Sequence, residues 1–239
     1  MSQTYSAPFP SLRTAYLRAI ARAWRDPEYQ EQLVRHSKEF PRGVLGLLER
    51  DYGFTFPFNI KFMIDTTPET RPRWIPVGTK GWFGFADRFH MFLPAQPEKQ
   101  EDEAAVLAEY CFRFPSMLGR ATNDISVAPP DFAGFGVITS RIIALAWHNE
   151  KFRTALYTLP DTRQLVQDAM DYMVPWNFTL TFQEAQMDRK PVVADAFWEL
   201  FPFSQVIVNL PLQPDDVGVE AIALAAYNDT GAQYPFTCG

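Results

Sequence analysis

The sequence predicts an α+β fold made by tandem duplication of one unit, in which helices are followed by a small sheet and closed by a further helix. Three observations carry this expectation. Amphipathic helical stretches come first and short extended runs follow them. The same order returns in the second half of the chain. The apolar fraction, 47% of 239 residues, is enough to bury one large core or two small ones.

The elements follow from local chemistry. LRTAYLRAIARAWRDPEYQEQLV places Leu17, Ile20, Ala21 and Trp24 on one helical face and then resets at Asp26-Pro27. Asp as N-cap with Pro at the first helical position starts a second helix, carrying Tyr29 and Leu33. A third helix is expected from Pro41 to Tyr52, stopped at Gly53. FNIKFMI, the turn-rich DTTPETRPR and RFHMFLP then read as extended segments. They are closed by a helix that begins among the acids of EKQEDEAAVLAEYCF.

Four blocks then recur in the same order. RAIARAWRDPEYQEQLV at Arg18 is echoed by RIIALAWHNEKFRTALY at Arg141, which pairs Trp24 with Trp147, Tyr29 with Phe152 and Leu33 with Leu156. PFNIKF at Pro57 is echoed by PWNFTL at Pro175, and FLPAQP by NLPLQP. The acidic helices that follow pair Glu103 with Glu220, Leu107 with Leu224 and Tyr110 with Tyr227. The offset falls from 123 residues at Arg18 and Arg141 to 117 at Pro97 and Pro214, so the second copy is slightly shortened. The first repeat is placed at 10–112 and the second at 133–229. A linker, 113–132, joins them and a tail, 230–239, follows.

Composition excludes several classes of function. Acidic and basic residues are interleaved at a formal charge of −6, so no basic stripe can neutralise phosphates or hold an anionic membrane. Nucleic acid is not an expected partner. No apolar run approaches the ~20 residues that span a bilayer. MSQTYSAPFPSLRTAYLR lacks the basic-then-apolar order of a secretory signal, so a cytoplasmic protein is expected. Two cysteines are too few for a disulfide framework or a thiolate metal site, and Cys111, within AAVLAEYCF, is expected to be a buried, inert thiol.

Other chemistry finds little support. His36, His90 and His148 have no i,i+4 partner and no nearby cysteine, and read as surface or half-buried polar residues. His36-Ser37 is an adjacent pair that a helix points apart, without a nucleophile elbow. Gly134-x-Gly136 follows a Pro-rich loop and has Thr139 where the third glycine of a dinucleotide fingerprint would stand. Glu101-Asp102-Glu103 and Asp215-Asp216 lie at helix starts, where dipole and solvation roles account for them. Phe89, Phe92, Trp198, Phe201 and Phe203 are expected in the core, with an open strand edge as a place for another protein. No metal and no cofactor is expected.

The blocks AWRDPEY, DTTPET and FLPAQP of the first copy, with AWHNEKF and NLPLQP of the second, resemble the nitrile hydratase alpha-subunit fold. More closely, they resemble the leader domain derived from it in precursors of thiazole- and oxazole-modified (TOMM-type) ribosomal peptides. The second copy departs at Asn149-Glu150 and lacks the T-P-x-T turn. The hydratase binds iron or cobalt through a C-x-x-C-x-C claw, and this chain has no such cluster. The resemblance therefore implies a leader-like body and not a metal enzyme.

That resemblance turns attention to the tail, TGAQYPFTCG. It implies a non-catalytic, bacteriocin-like precursor whose folded leader is recognised by a modifying enzyme complex, either a cyclodehydratase or an iron-dependent oxidase. In the usual chemistry the side chain of Cys, Ser or Thr attacks the preceding carbonyl, and ATP-dependent activation expels the oxygen to leave a five-membered azoline. The attack needs an extended, accessible segment, which a terminus provides and a helix does not. Cys238, acting on the Thr237 carbonyl, is the principal candidate, and Thr237 and Thr230 are secondary ones. The modified product would be open to export, and a homo-oligomer or a paired paralogue fits the same reading. The alternative is a non-enzymatic binding or scaffold protein of hydratase-like fold, with Cys238 incidental.

Overall fold

A computed structural model of the chain describes residues 8–39, 43–53, 61–76, 81–117, 130–174, 178–188, 190–192, 195–202 and 204–230. Pro41, Phe203, Thr237, Cys238 and the first residues of the PFNIKF and PWNFTL blocks lie outside the described residues. In chain order the elements are α1 (Pro8–Ala23), α2 (Pro27–His36), α3 (Gly43–Tyr52), β1 (Lys61–Asp65), β2 (Arg73–Ile75), β3 (Gly81–Phe83), β4 (Arg88–Leu93) and α4 (Glu103–Met117). There follow α5 (Pro130–His148), α6 (Glu150–Thr158), α7 (Arg163–Met170), β5 (Thr179–Glu184), α8 (Asp195–Trp198), β6 (Gln205–Asn209) and α9 (Glu220–Thr230). The chain is α+β and a tandem duplication: three helices, a strand, an insert, a second strand and a closing helix occur twice.

The local chemistry of the two copies is closely matched. Asp26 caps α2 and Asn149 caps α6, each side chain accepting from the backbone N–H three residues on at 3.0 Å. Their backbones sit at φ −130, ψ 91 and φ −132, ψ 99. Asp and Asn serve this position equally well, so the departure at Asn149 leaves the capping geometry unchanged. In the closing helices Val106 and Tyr110 of α4 are buried, as are Ala223 and Tyr227 of α9. Gly53 ends α3 at φ 70, a left-handed conformation that glycine adopts without strain.

Two expectations are corrected. The inward stripe of α1 is Leu12, Ala15, Tyr16, Ala19, Ile20, Ala23 and Trp24, whereas Leu17 and Ala21 are half-buried at its margin. The helix is rotated so that its small alanines, and not Leu17, meet the neighbouring helices. Cys111 is exposed, not buried. It stands one residue past buried Tyr110, about 100° round the helix, so it leaves the narrow stripe that Val106 and Tyr110 define.

By spatial contact the described elements form two compact units, and neither is a repeat. The first holds α1–α3, β1–β3, β6 from Val206 onward and α9; the second holds β4, α4–α8 and β5. Each repeat therefore delivers its last strand and closing helix to the unit built on the other repeat's helices. In the first unit α1 packs on α2, α3 and α9, β1 lies beside β6, and α9 covers β3. The β2–β3 hairpin pairs Trp74 with Trp82. In the second unit α5 packs on α4, α6 and α7. There β4 and β5 run parallel, with Phe89 opposite Leu180 and Met91 opposite Phe182, all four buried.

Candidate functional site

The most developed geometry is the seat of each exchanged strand and helix, built twice from the same motifs. In the first unit Trp24 Nε1–H donates to the Pro211 carbonyl at 3.0 Å; in the second, Trp147 Nε1–H donates to the Pro94 carbonyl at 3.0 Å. The residue after each tryptophan grips the first carboxylate of the incoming helix. Arg25 Nη2 reaches Glu220 at 2.5 Å, and His148 Nε2 lies 2.8 Å from Glu103. The Gln of each LP-x-QP motif holds the other oxygen of that carboxylate: Gln213 on Glu220 and Gln96 on Glu103, both at 2.7 Å. Arg25, and then Gln213, keep the Glu220 carboxyl below its usual range. These contacts explain why Trp, LP-x-QP and an acidic helix start recur together.

The first unit adds a buried polar cluster. Asp65 Oδ1 accepts from the Thr67 amide at 2.9 Å and its hydroxyl at 2.6 Å, which shapes the DTTPET turn. That turn presents Arg71, whose Nε donates to the Leu210 carbonyl at 2.7 Å and whose Nη2 reaches Pro211 at 3.3 Å. Asp87, 2% exposed, accepts from the Asn209 backbone N–H at 2.6 Å and from its side-chain amide at 3.3 Å. Burial, and then the Asp87 carboxylate, push the Tyr16 hydroxyl well above its ordinary range. For Tyr227 the causes are burial, then Tyr16, then Asp87. Burial pulls Arg71 down. The one sequence signal for this cluster is Asn209, a polar residue where the first copy has Phe92.

The other candidates separate. His36 pairs with Glu39 at 2.6 Å, His90 with the Thr181 hydroxyl at 2.8 Å and His148 with Glu103. Among the described residues no three His, Cys, Asp or Glu side chains gather into a possible metal site. Gly134 and Gly136 lie inside α5, not in a loop before a helix. Phe89, Trp198 and Phe201 are in the core, and Phe92 is half-buried. A pocket of about 340 Å³ in the second unit is lined by Glu98, Glu184, Asp188 and Lys190 beside apolar residues, with no serine, threonine or cysteine among its lining residues. Cys238 and Thr237 lie outside the described residues, and Thr230 is the last residue of α9.

A family model for ribosomal natural products of the two-chain TOMM family matches residues 8–118 and again 130–235. The chain belongs to this family. The match falls twice, on the two copies in turn, and together the two segments take in most of the chain. No curated protein and no solved structure matches it. Membership makes the chain a ribosomal natural-product precursor of TOMM type, with modifying enzymes as its partners. Among the described residues no helix is long and apolar enough to cross a membrane.

Proposed function

We propose that the folded body is a leader of nitrile hydratase-like descent, read in the cytoplasm by a cyclodehydratase complex, and that the tail 230–239 is the core it modifies, at Cys238 first. The observation that carries this reading is the family match over both copies. The two matched segments would stand, in one polypeptide, for the two chains of the family's description. The body acts as substrate and not as catalyst, in keeping with histidines engaged by structural partners.

In the proposed step Sγ of Cys238 adds to the Thr237 carbonyl carbon. The carbonyl oxygen accepts a phosphoryl group from ATP and leaves as inorganic phosphate. The amide nitrogen then loses its proton and forms the C=N bond of a thiazoline, with net loss of one water from the peptide. Thr237 is a secondary site. Thr230 is a weaker one, because closing a ring on the residue 229 carbonyl requires the last turn of α9 to open. Intact mass of the C-terminal fragment, from protein made with its native genomic neighbours, tests the reading. Loss of one water, or of water and two hydrogens where an oxidase follows, is expected. It should disappear in Cys238→Ala, with thermal stability unchanged. An unmodified fragment together with marked destabilisation by Cys238→Ala would transfer the assignment to a binding or scaffold protein with a docked terminus. In the unmodified chain the exposed Cys111 should also alkylate, so the two thiols must be resolved by peptide mapping.

A further inference from the structure

We propose that each unit is a docking site whose occupant is a strand–helix arm from another repeat, so that the two repeats, severed within residues 118–129, would reassemble as a 1:1 pair in preference to pairing with themselves. The arms are residues 88–117 and 206–230. The proposal rests on their exchange and not on the chemistry assigned to the tail, so either can fail alone.

Chain path supplies the first argument. A cut within 118–129 leaves each unit built from both fragments, because the helices of one repeat and the arm of the other share it. The fragments can separate only if both units open. Opening exposes Phe89, Met91 and Leu93 of one arm and Val206, Val208 and Leu210 of the other, none more than 1% exposed. Burial of that apolar surface, and not a surface ion pair, holds the pair together.

Selectivity comes from the polar cluster. The first unit meets its arm with Asp87 and Arg71, and the arm answers with the Asn209 amide and the Leu210 and Pro211 carbonyls. Were the first repeat to seat its own arm there, Phe92 would occupy the place of Asn209. A donor to the buried carboxylate would be lost and an aromatic ring set against it, which is costly in a low-dielectric interior. The first unit's acceptor is thus matched to the second repeat's arm.

The test uses the full chain with a protease site inserted in 118–129 and cleaved after folding. The cleaved protein is expected to elute at the intact mass, and to return after urea unfolding and refolding as the 1:1 pair by native mass spectrometry. Folded monomeric fragments, or homotypic pairs as abundant as the 1:1 pair, would overturn the proposal. Hydrogen exchange on the uncut chain supplies the cross-over. Leu210→Ala should speed exchange at least about tenfold over residues 12–52 and leave 135–170 unchanged, and Leu93→Ala should do the reverse. If Leu210→Ala abolishes folding of its unit, Glu220→Gln should give the same pattern more weakly, around residues 24–33. Faster exchange confined to the helices of the variant's own repeat sinks the proposal.

Discussion

The two units complete the same seat with different inserts. In the first, the β2–β3 hairpin brings Trp82 against Tyr227 of α9, edge-on at 5.6 Å, and stacks it on Trp24 at 6.1 Å. In the second, the single turn of α8 brings Trp198 against Tyr110 of α4 at 6.2 Å, with Phe197 and Phe201 packed around it. Trp82 Nε1–H donates to the Ala223 carbonyl at 2.6 Å, whereas Trp198 Nε1 meets no acceptor among the described residues. One unit is therefore closed by a polar cluster and an anchored indole, the other by an aromatic cluster. The contacts kept in both are those that seat the arm: tryptophan on proline carbonyl, basic side chain on glutamate, glutamine on the same glutamate. A hairpin and a helical turn can replace one another because the job is to cover a tyrosine. The carbonyl contacts need a donor in a fixed place, and that requirement constrains them far more.

The largest test of this comparison is truncation of the two plugs. Trp82→Ala and Trp198→Ala should each cost about 3–5 kcal/mol, confined to their own units and read by segment-resolved hydrogen exchange. A loss under about 1 kcal/mol for either would break the equivalence. Trp→Phe sharpens it. Trp82→Phe should cost about 0.5–1.5 kcal/mol more than Trp198→Phe, since only Trp82 loses an indole hydrogen bond.

Next in size is the polar cluster. Asp87→Ala removes the acceptor of the buried Asn209 amide and should destabilise the first unit by about 1–3 kcal/mol. Ser204→Ala, at the matching position of the second copy, should cost less than about 1 kcal/mol. Equal effects would show that the carboxylate has no special role in the first unit. The helix caps should behave alike, Asp26→Ala and Asn149→Ala each costing about 1 kcal/mol. A difference of more than about 1 kcal/mol between them in chemical denaturation would mean that the matched cap geometry does not carry matched energies.

The smallest effect expected is pH dependence in the second unit. Burial, only partly opposed by a hydrogen bond to Gln183 that favours the protonated ring, holds His90 below its usual value. The folded unit therefore favours the neutral ring. Below about pH 6.5 the unfolded chain takes up a proton that the folded unit resists, so stability is full above that pH and declines as pH falls toward the lowered folded value. His90→Gln should flatten this limb in the second unit and leave the first unaffected. A limb of the same size in the first unit would assign the effect elsewhere.

Much of this was legible in the residues. Asp26-Pro27 announced a helix start, Gly53 a stop, and the four matched blocks a duplication, because caps and periodicity are read over a few residues. The run AAVLAEYCF reads as buried because it is apolar, whereas among the described residues of α4 the helical period turns Val106 and Tyr110 inward and Cys111 outward. The hairpin around Trp82 was missed because its three-residue strands are too short to show alternation. Arg71, Asp87 and Asn209 gave no motif, since their partners lie more than a hundred residues away.

By itself, then, the sequence determined the elements, their order and their twofold recurrence, because backbone preference and capping are local free energies. It could not determine which repeat's arm fills which seat. LPAQP and LPLQP present the same proline carbonyl and the same glutamine, and the indole N–H of Trp24 or Trp147 can donate to either. That choice was made in three dimensions. The connections after Asp87 and Gln205 carry each strand out of its own unit, and a buried carboxylate finds an amide donor on the other repeat's arm.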